Sequence, residues 1–131
     1  MNTHTLPVAQ QIVAASGWDE LTRQLMLAGK ALPDIPPELK VAENQVPGCQ
    51  SRVWLTYDPV SPPALCGFSE AKIIRGVLAI LLEKANSLPV AARGEYDFEE
   101  YLKILGVSRN ISQSRADGVA QIIRQINQMT S

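Results

Sequence analysis

The sequence predicts an α+β fold, with a small antiparallel sheet of about three strands covered by helices. Apolar residues recur at helical spacing in several segments, two β-type runs lie close together near the middle of the chain, and helical patterns fill the second half. With 131 residues, 46% of them hydrophobic, the chain is long enough to bury a core. We therefore expect a single domain over residues 1–131, of which residues 1–7 are flexible.

Two helices and a proline-rich loop are predicted before the sheet. Residues 8–15 make a short helical segment, and apolar side chains keep the helical period from 18 to 28. The prolines within 32–37 exclude a helix there, because proline lacks the backbone N–H that a helix interior needs. This loop leads toward the β-type runs.

The predicted sheet contains a hairpin. Alternating Val, Trp, Leu, Thr and Tyr at 52–57 indicate a strand, and residues 64–68 can return beside it after a proline-rich turn at 58–63. Pairing across this turn would place Leu55 opposite Cys66 and turn Cys66 toward the core. At the rise of a strand, this register separates Cys66 from Cys49 by roughly 20 Å, so we expect no disulfide between them.

Three helices are predicted after the sheet. Ser69 is expected to cap the first of them, whose apolar residues at 73–82 lie on most of its sides, so this helix should occupy the centre of the domain. A short amphipathic helix follows at 98–105, with Gly106 placed to end it. The last helix carries apolar residues at the 3.6-residue period over 119–129.

Composition argues against several classes of function. The formal net charge is -1 and the 12 Lys and Arg are scattered, which is not typical of a nucleic-acid-binding protein. The longest apolar run, 77–82, is far shorter than a membrane span, and residues 1–10 lack the features of a signal peptide. Two cysteines do not make the disulfide framework of a secreted domain, so we expect a cytoplasmic protein.

The single histidine narrows the possible chemistry further. His4 lies in a terminal segment of the kind that is seldom ordered, so we expect neither a Cys–His or Ser–His catalytic pair nor a zinc site. The glycine motifs that bind nucleotide phosphates are absent. Any chemistry is therefore left to cysteine or to carboxylates.

Cys49 is the candidate reactive residue. It follows Pro47 and Gly48, and Gly48 can adopt backbone conformations closed to other residues, so the thiol is presented on a tight bend. Thiol exchange and persulfide transfer need such a position, because the thiolate must attack a partner's sulfur in line. Arg52, three residues on, is expected to favour the thiolate. On local chemistry alone, Cys49 is as readily a small buried apolar side chain, and both interpretations stay open.

Four segments of the chain together resemble the SufE/CsdE family of sulfur acceptors, and the CsdE branch is the closer. They are residues 18–33, residues 43–55 with Gly48-Cys49, residues 69–79 with Arg75-Gly76, and residues 105–118 with Ser114-Arg115 and Gly118. The four occur in order and at suitable spacing over nearly the whole chain. This makes the resemblance specific, although each segment alone would be weak.

The resemblance implies both a fold and a function. The implied fold resembles that of iron-sulfur scaffold proteins, with the acceptor cysteine at one end of the sheet. Cys49 would take sulfur as a persulfide from a cysteine desulfurase of the SufS or CsdA type and pass it to an iron-sulfur scaffold or another acceptor. The protein would activate that enzyme without being one itself. It would need no cofactor, because the pyridoxal phosphate belongs to the desulfurase.

The resemblance also implies supporting or partner-binding roles for residues near the thiol. These are Gly48, Gln50, Ser51, Arg52, Glu43 and Arg115. Arg115 either lies near the cysteine loop or bonds a loop carbonyl from the last helix, and Glu43 either fixes the loop or is a solvated charge. Phe68 stands where family members usually carry an acidic residue, which puts in doubt any partner contact made by that acid.

Two other functions remain open from the sequence. The presence of two thiols is compatible with a thiol oxidoreductase in which Cys66 resolves an oxidised Cys49. The chain is also compatible with a non-catalytic interaction module whose cysteine is incidental.

Overall fold

The computed structural model describes residues 6–49, 51–58 and 64–129, and it confirms the α+β class. Within these residues, helices pack around an antiparallel pair of strands. In chain order the elements are α1 (Pro7–Ala14), α2 (Gly17–Ala31), β1 (Val53–Asp58), β2 (Ala64–Ser69), α3 (Lys72–Ser87), α4 (Phe98–Ile104) and α5 (Gln113–Gln128). None of the described helices is long and apolar enough to cross a membrane.

The sheet is smaller than predicted. Two strands pair in the described part of the chain, and a single antiparallel bridge between Gln45 and Trp54 occupies the place of a third. A 3-10 turn at Ala42–Asn44 leads into this bridge, so the segment before Cys49 meets β1 through a short contact and not through a full strand.

The predicted register of the hairpin is wrong by one residue. Leu55 pairs with Gly67, and Cys66 pairs with Thr56. Because side chains alternate along a strand, the shift turns Leu65 into the core and moves Cys66 to the opposite face, where it is half-buried. The expected core position of Cys66 is therefore incorrect.

The central position predicted for the helix after the sheet is confirmed. Helix α3 buries nine residues, and Val77, Leu78 and Ile80 are fully inaccessible to solvent. Gly76 permits α2 to cross α3 at close range, since a Cβ there would collide with the Leu25 carbonyl group. The sheet packs on the same helix, α3, through β2.

Helix α5 lies beside the sheet and contacts both α3 and β1. Its N-cap is Ser112, whose side chain accepts a hydrogen bond from the backbone N–H of Arg115. The helix before it ends as predicted, with Gly106 at φ +82°. As a result, the first two turns of α5 face the segment that carries Cys49.

Candidate functional site around Cys49

The Cys49 loop, of which residues 47–49 and 51 are described, is closed at its base by a backbone hydrogen bond. The backbone N–H of Val46 donates a 2.8 Å hydrogen bond to the carbonyl of Val53, directly across the base. Gly48 has φ +83°, a region that residues with a side chain rarely adopt, which confirms the conformational role expected of it. Gln50 lies outside the described residues.

The thiol of Cys49 points toward α5 and not into open solvent. Its Sγ donates a hydrogen bond to the carbonyl oxygen of Gly118 over 3.4 Å. A Cβ added at Gly118 would lie 3.6 Å from Sγ, so the thiol rests in van der Waals contact with this part of the helix. Cys49 is half-buried, and this burial raises the pKa of its thiol.

A cavity of about 270 Å³ opens beside the thiol. It is bounded by the Cys49 loop, the beginning of α3 and the first turns of α5. Its lining residues are Cys49, Ser51, Val53, Ala71, Ile74, Ser112, Ser114, Arg115 and Gly118. The exposed Arg115 side chain therefore shares one cavity with Cys49, as does Ser51, so the structure brings these two predicted residues to the thiol.

Arg52 does not act on the thiol as predicted. Its guanidinium forms a two-pronged ion pair with Glu70, with contacts of 3.2 Å and 2.6 Å, and lies over the Trp54 ring. The pKa of Cys49 is raised by burial, which is the direction opposite to that expected from a stabilising cation. Arg52 is close to Cys49 in the sequence, but its side chain pairs with Glu70 on the other side of the hairpin.

Ser69 also has a role different from the predicted helix cap. It is the last residue of β2, and the N-cap of α3 is Ala71. The buried Ser69 hydroxyl donates to the Arg52 carbonyl over 2.9 Å and accepts from the Ala71 backbone N–H over 3.2 Å. It therefore connects the end of the Cys49 loop to the beginning of α3.

Two other predicted positions, Glu43 and Phe68, do not line the Cys49 cavity. Glu43 is exposed in the 3-10 turn before the loop. Phe68, which stands where an acid was expected, packs between two cations: the Lys40 ammonium and the Arg75 guanidinium each lie 4.4 Å from its ring centre. Cations at this place are thus held by the face of an aromatic ring.

Gln121 is a contact of the Cys49 loop that the sequence reasoning missed. Its Cγ and Cδ atoms lie 3.1 Å and 3.3 Å from the position of a Cβ on Gly48. The signal available in the sequence was its spacing, because Gln121 follows Gly118 by three residues and so shares its helix face.

Cys66 belongs to a different part of the molecule. It lines a groove of about 940 Å³ near the C-terminal half of α3, away from the Cys49 cavity. Since Val53 lines the Cys49 cavity from the core face of the sheet and Cys66 projects from the opposite face, the sheet separates the two thiols. No group of three or more metal-ligating side chains comes together among the described residues.

The geometry is that of a sheltered, protonated thiol. A protonated Cys49 resting on a carbonyl is a poor nucleophile, because the thiolate is the reactive form. The bend at Gly48 places it at the end of a short loop whose base is fixed. Movement away from Gly118 would expose the sulfur and lower its pKa.

Known proteins similar to this chain share one family. The family described as "SufE: Fe-S metabolism associated domain" matches residues 7–130. The sulfur acceptor protein CsdE of Escherichia coli is 35% identical over 104 residues, covering 78% of this chain and 71% of that protein. An uncharacterized SufE-like protein of Rhizobium etli is 31% identical over 126 residues (92% of this chain, 85% of the relative), and one of Haemophilus influenzae is 30% identical over 123 residues (92% and 97%).

Proposed function

This chain belongs to the SufE family, and on that basis we propose that it accepts sulfur as a persulfide on Cys49 from a cysteine desulfurase. The observation that carries the proposal is the position of Cys49. It is a half-buried thiol on a glycine bend, beside a small cavity, within the region matched by the family. The similarity to the CsdE sulfur acceptor supports the same chemistry.

The proposed transfer is a thiol–persulfide exchange. The Cys49 thiolate attacks the terminal sulfur of a persulfide on the desulfurase, so a new S–S bond forms on Cys49 while the S–S bond on the partner breaks. The electron pair of the broken bond leaves with the partner's cysteine sulfur, and the proton of Cys49 passes to solvent. The product is a persulfide on Cys49 and a free cysteine on the desulfurase.

The chain's own residues hold and release the thiol in this scheme. The Gly118 carbonyl accepts a hydrogen bond from the Cys49 thiol in the resting state, and a thiolate at the same place would be repelled by that oxygen. Docking of the desulfurase therefore has to move Cys49 off Gly118 before the attack. In this scheme Arg115, which lines the same cavity, attracts the anionic persulfide that results.

The partner and the compartment follow from the same proposal. A desulfurase of the SufS or CsdA type supplies the sulfur, using its own pyridoxal phosphate, and this chain uses no cofactor of its own. An iron-sulfur scaffold or another acceptor receives the sulfur in the cytoplasm. The protein acts as a carrier and an activator, since removing the persulfide frees the desulfurase for its next turnover.

Activation of a desulfurase tests the proposal. With cysteine as substrate, the wild type should raise the rate of alanine formation by the cognate enzyme, and Cys49→Ser should not. Cys66→Ser is the matched control and should activate like the wild type, because Cys66 lies on the other side of the sheet. Equal activation by Cys49→Ser would overturn the transfer step and leave an interaction module.

A further inference from the structure

The Cys49 loop rests on one face of α5. Gly118 and Gln121 form this face, one helical turn apart, and each meets a different residue of the loop. The Gly118 carbonyl receives the Cys49 thiol, and the side chain of Gln121 lies against Gly48. The distance of 3.1 Å from Gln121 Cγ to the position of a Gly48 Cβ shows how closely they pack.

The two ends of the loop are held differently from its tip. At the base, the backbone bond between Val46 and Val53 and the bond from Ser69 to the Arg52 carbonyl join the chain to the sheet and to α3. The tip meets α5 through a long sulfur hydrogen bond and the packing of Gln121 on Gly48. A thiol is a weak hydrogen-bond donor, so packing holds the tip: Gln121 lies against Gly48, and Cys49 itself packs against the hydrophobic core.

We propose that Gln121 is a positioning residue that keeps the Cys49 loop docked on α5. Its aliphatic stem packs against Gly48 so closely that even a Cβ there would be crowded, and this contact holds Sγ over the Gly118 carbonyl. Gln121 is uncharged, so its effect on the thiol runs through the position of the loop and not through a local charge. The consequence for sulfur transfer rests on the proposed function, whereas the docking itself does not.

Docking by Gln121 determines how often Cys49 is exposed. Alkylation of a sheltered thiol proceeds through a minor open state, so its rate follows the population of that state. Truncation at Gln121→Ala should speed the alkylation of Cys49 by about threefold to tenfold near neutral pH, tenfold being about 1.4 kcal/mol. Gln121→Met keeps a straight side chain of similar length and should restore the slow rate.

The experiment compares alkylation of Cys49 by iodoacetamide in the wild type, Gln121→Ala, Gln121→Met and Gln128→Ala. Gln128 is an exposed glutamine at the end of the same helix, and its variant should behave like the wild type. Peptide mass mapping reports Cys66 in the same samples as an internal control. Opening of the loop alone speeds Cys49, whereas global unfolding would speed both cysteines.

The pH dependence separates a positioning role from a merely structural one. If Gln121→Ala shifts only the docked–open equilibrium, the rate difference is largest near neutral pH and shrinks as the thiol ionises, because the docked state favours the protonated form. An unchanged Cys49 rate in Gln121→Ala, or an equal acceleration of Cys66, would overturn the inference. Adding a desulfurase to the same variants shows separately whether sulfur transfer occurs, so failure of the proposed function is read independently.

Discussion

Replacing Ser69 by alanine removes the hydroxyl that joins the end of the Cys49 loop to the beginning of α3. The hydroxyl makes two hydrogen bonds, to the Arg52 carbonyl at 2.9 Å and from the Ala71 N–H at 3.2 Å. Ser69 is 0% exposed, so water cannot take over either bond without entering the core. The contact of Arg75 with Ser69 uses the backbone carbonyl and survives the substitution.

The magnitude follows from these two bonds. A hydrogen bond between neutral groups contributes about 0.5–1.5 kcal/mol net, so losing both should lower the free energy of unfolding by about 1–3 kcal/mol. Because the hydroxyl anchors the base of the Cys49 loop, Ser69→Ala should also speed the alkylation of Cys49.

Urea unfolding followed by circular dichroism measures the effect. The urea concentration at the unfolding midpoint should fall. The slope of the free energy of unfolding against urea concentration should stay the same, since the surface exposed on unfolding is the same. Ser87→Ala is the matched control: Ser87 is exposed near the end of α3, so a loss below about 0.5 kcal/mol is expected. A loss that small for Ser69→Ala would refute the anchoring role of its hydroxyl.

Three further outcomes are expected. Gly76→Ala should lower the free energy of unfolding by about 1–3 kcal/mol, because the added methyl group meets the Leu25 backbone; a gain in stability in urea unfolding would contradict this close crossing. Alkylation of Cys49 should keep accelerating above pH about 8.5, the ordinary thiol value, since burial raises its pKa. Because the folded state keeps the Cys49 proton to a higher pH than the unfolded state does, the free energy of unfolding should fall as the pH rises above that value. Urea unfolding of Cys49→Ser should show a smaller fall. Mild peroxide should yield no Cys49–Cys66 disulfide in non-reducing peptide maps, and a quantitative bridge would show that the sheet does not keep the thiols apart.

The sequence predicted the features that depend on local chemistry. Helical periodicity located α3 and α5, and the Gly48-Cys49 dipeptide indicated a bend, which the positive φ of Gly48 confirms. These signals need only the residues nearby, since side-chain spacing and glycine's freedom act over a few positions. That Cys49 is the acceptor stays a prediction.

The errors arose where tertiary packing decides. Apolar side chains occur on both faces of β2, so alternation alone did not choose between the two registers, and the fit of Leu65 into the core against α3 did. Ser69 precedes a helix, as a cap would, yet its place at the end of β2 turns the hydroxyl to Arg52. The spacing of Gln121 from Gly118 is visible in the sequence, but their approach to the Cys49 loop depends on how α5 crosses it.

Intact mass and peptide mapping of the protein after reaction test the central claim most directly. The chain is mixed with a cognate cysteine desulfurase, pyridoxal phosphate and cysteine, then quenched by alkylation. We expect a gain of one sulfur atom on the peptide that carries Cys49, in the wild type and in Cys66→Ser, and no gain in Cys49→Ser. A wild-type protein that stays free of added sulfur, or that carries it on Cys66 instead, would contradict the account.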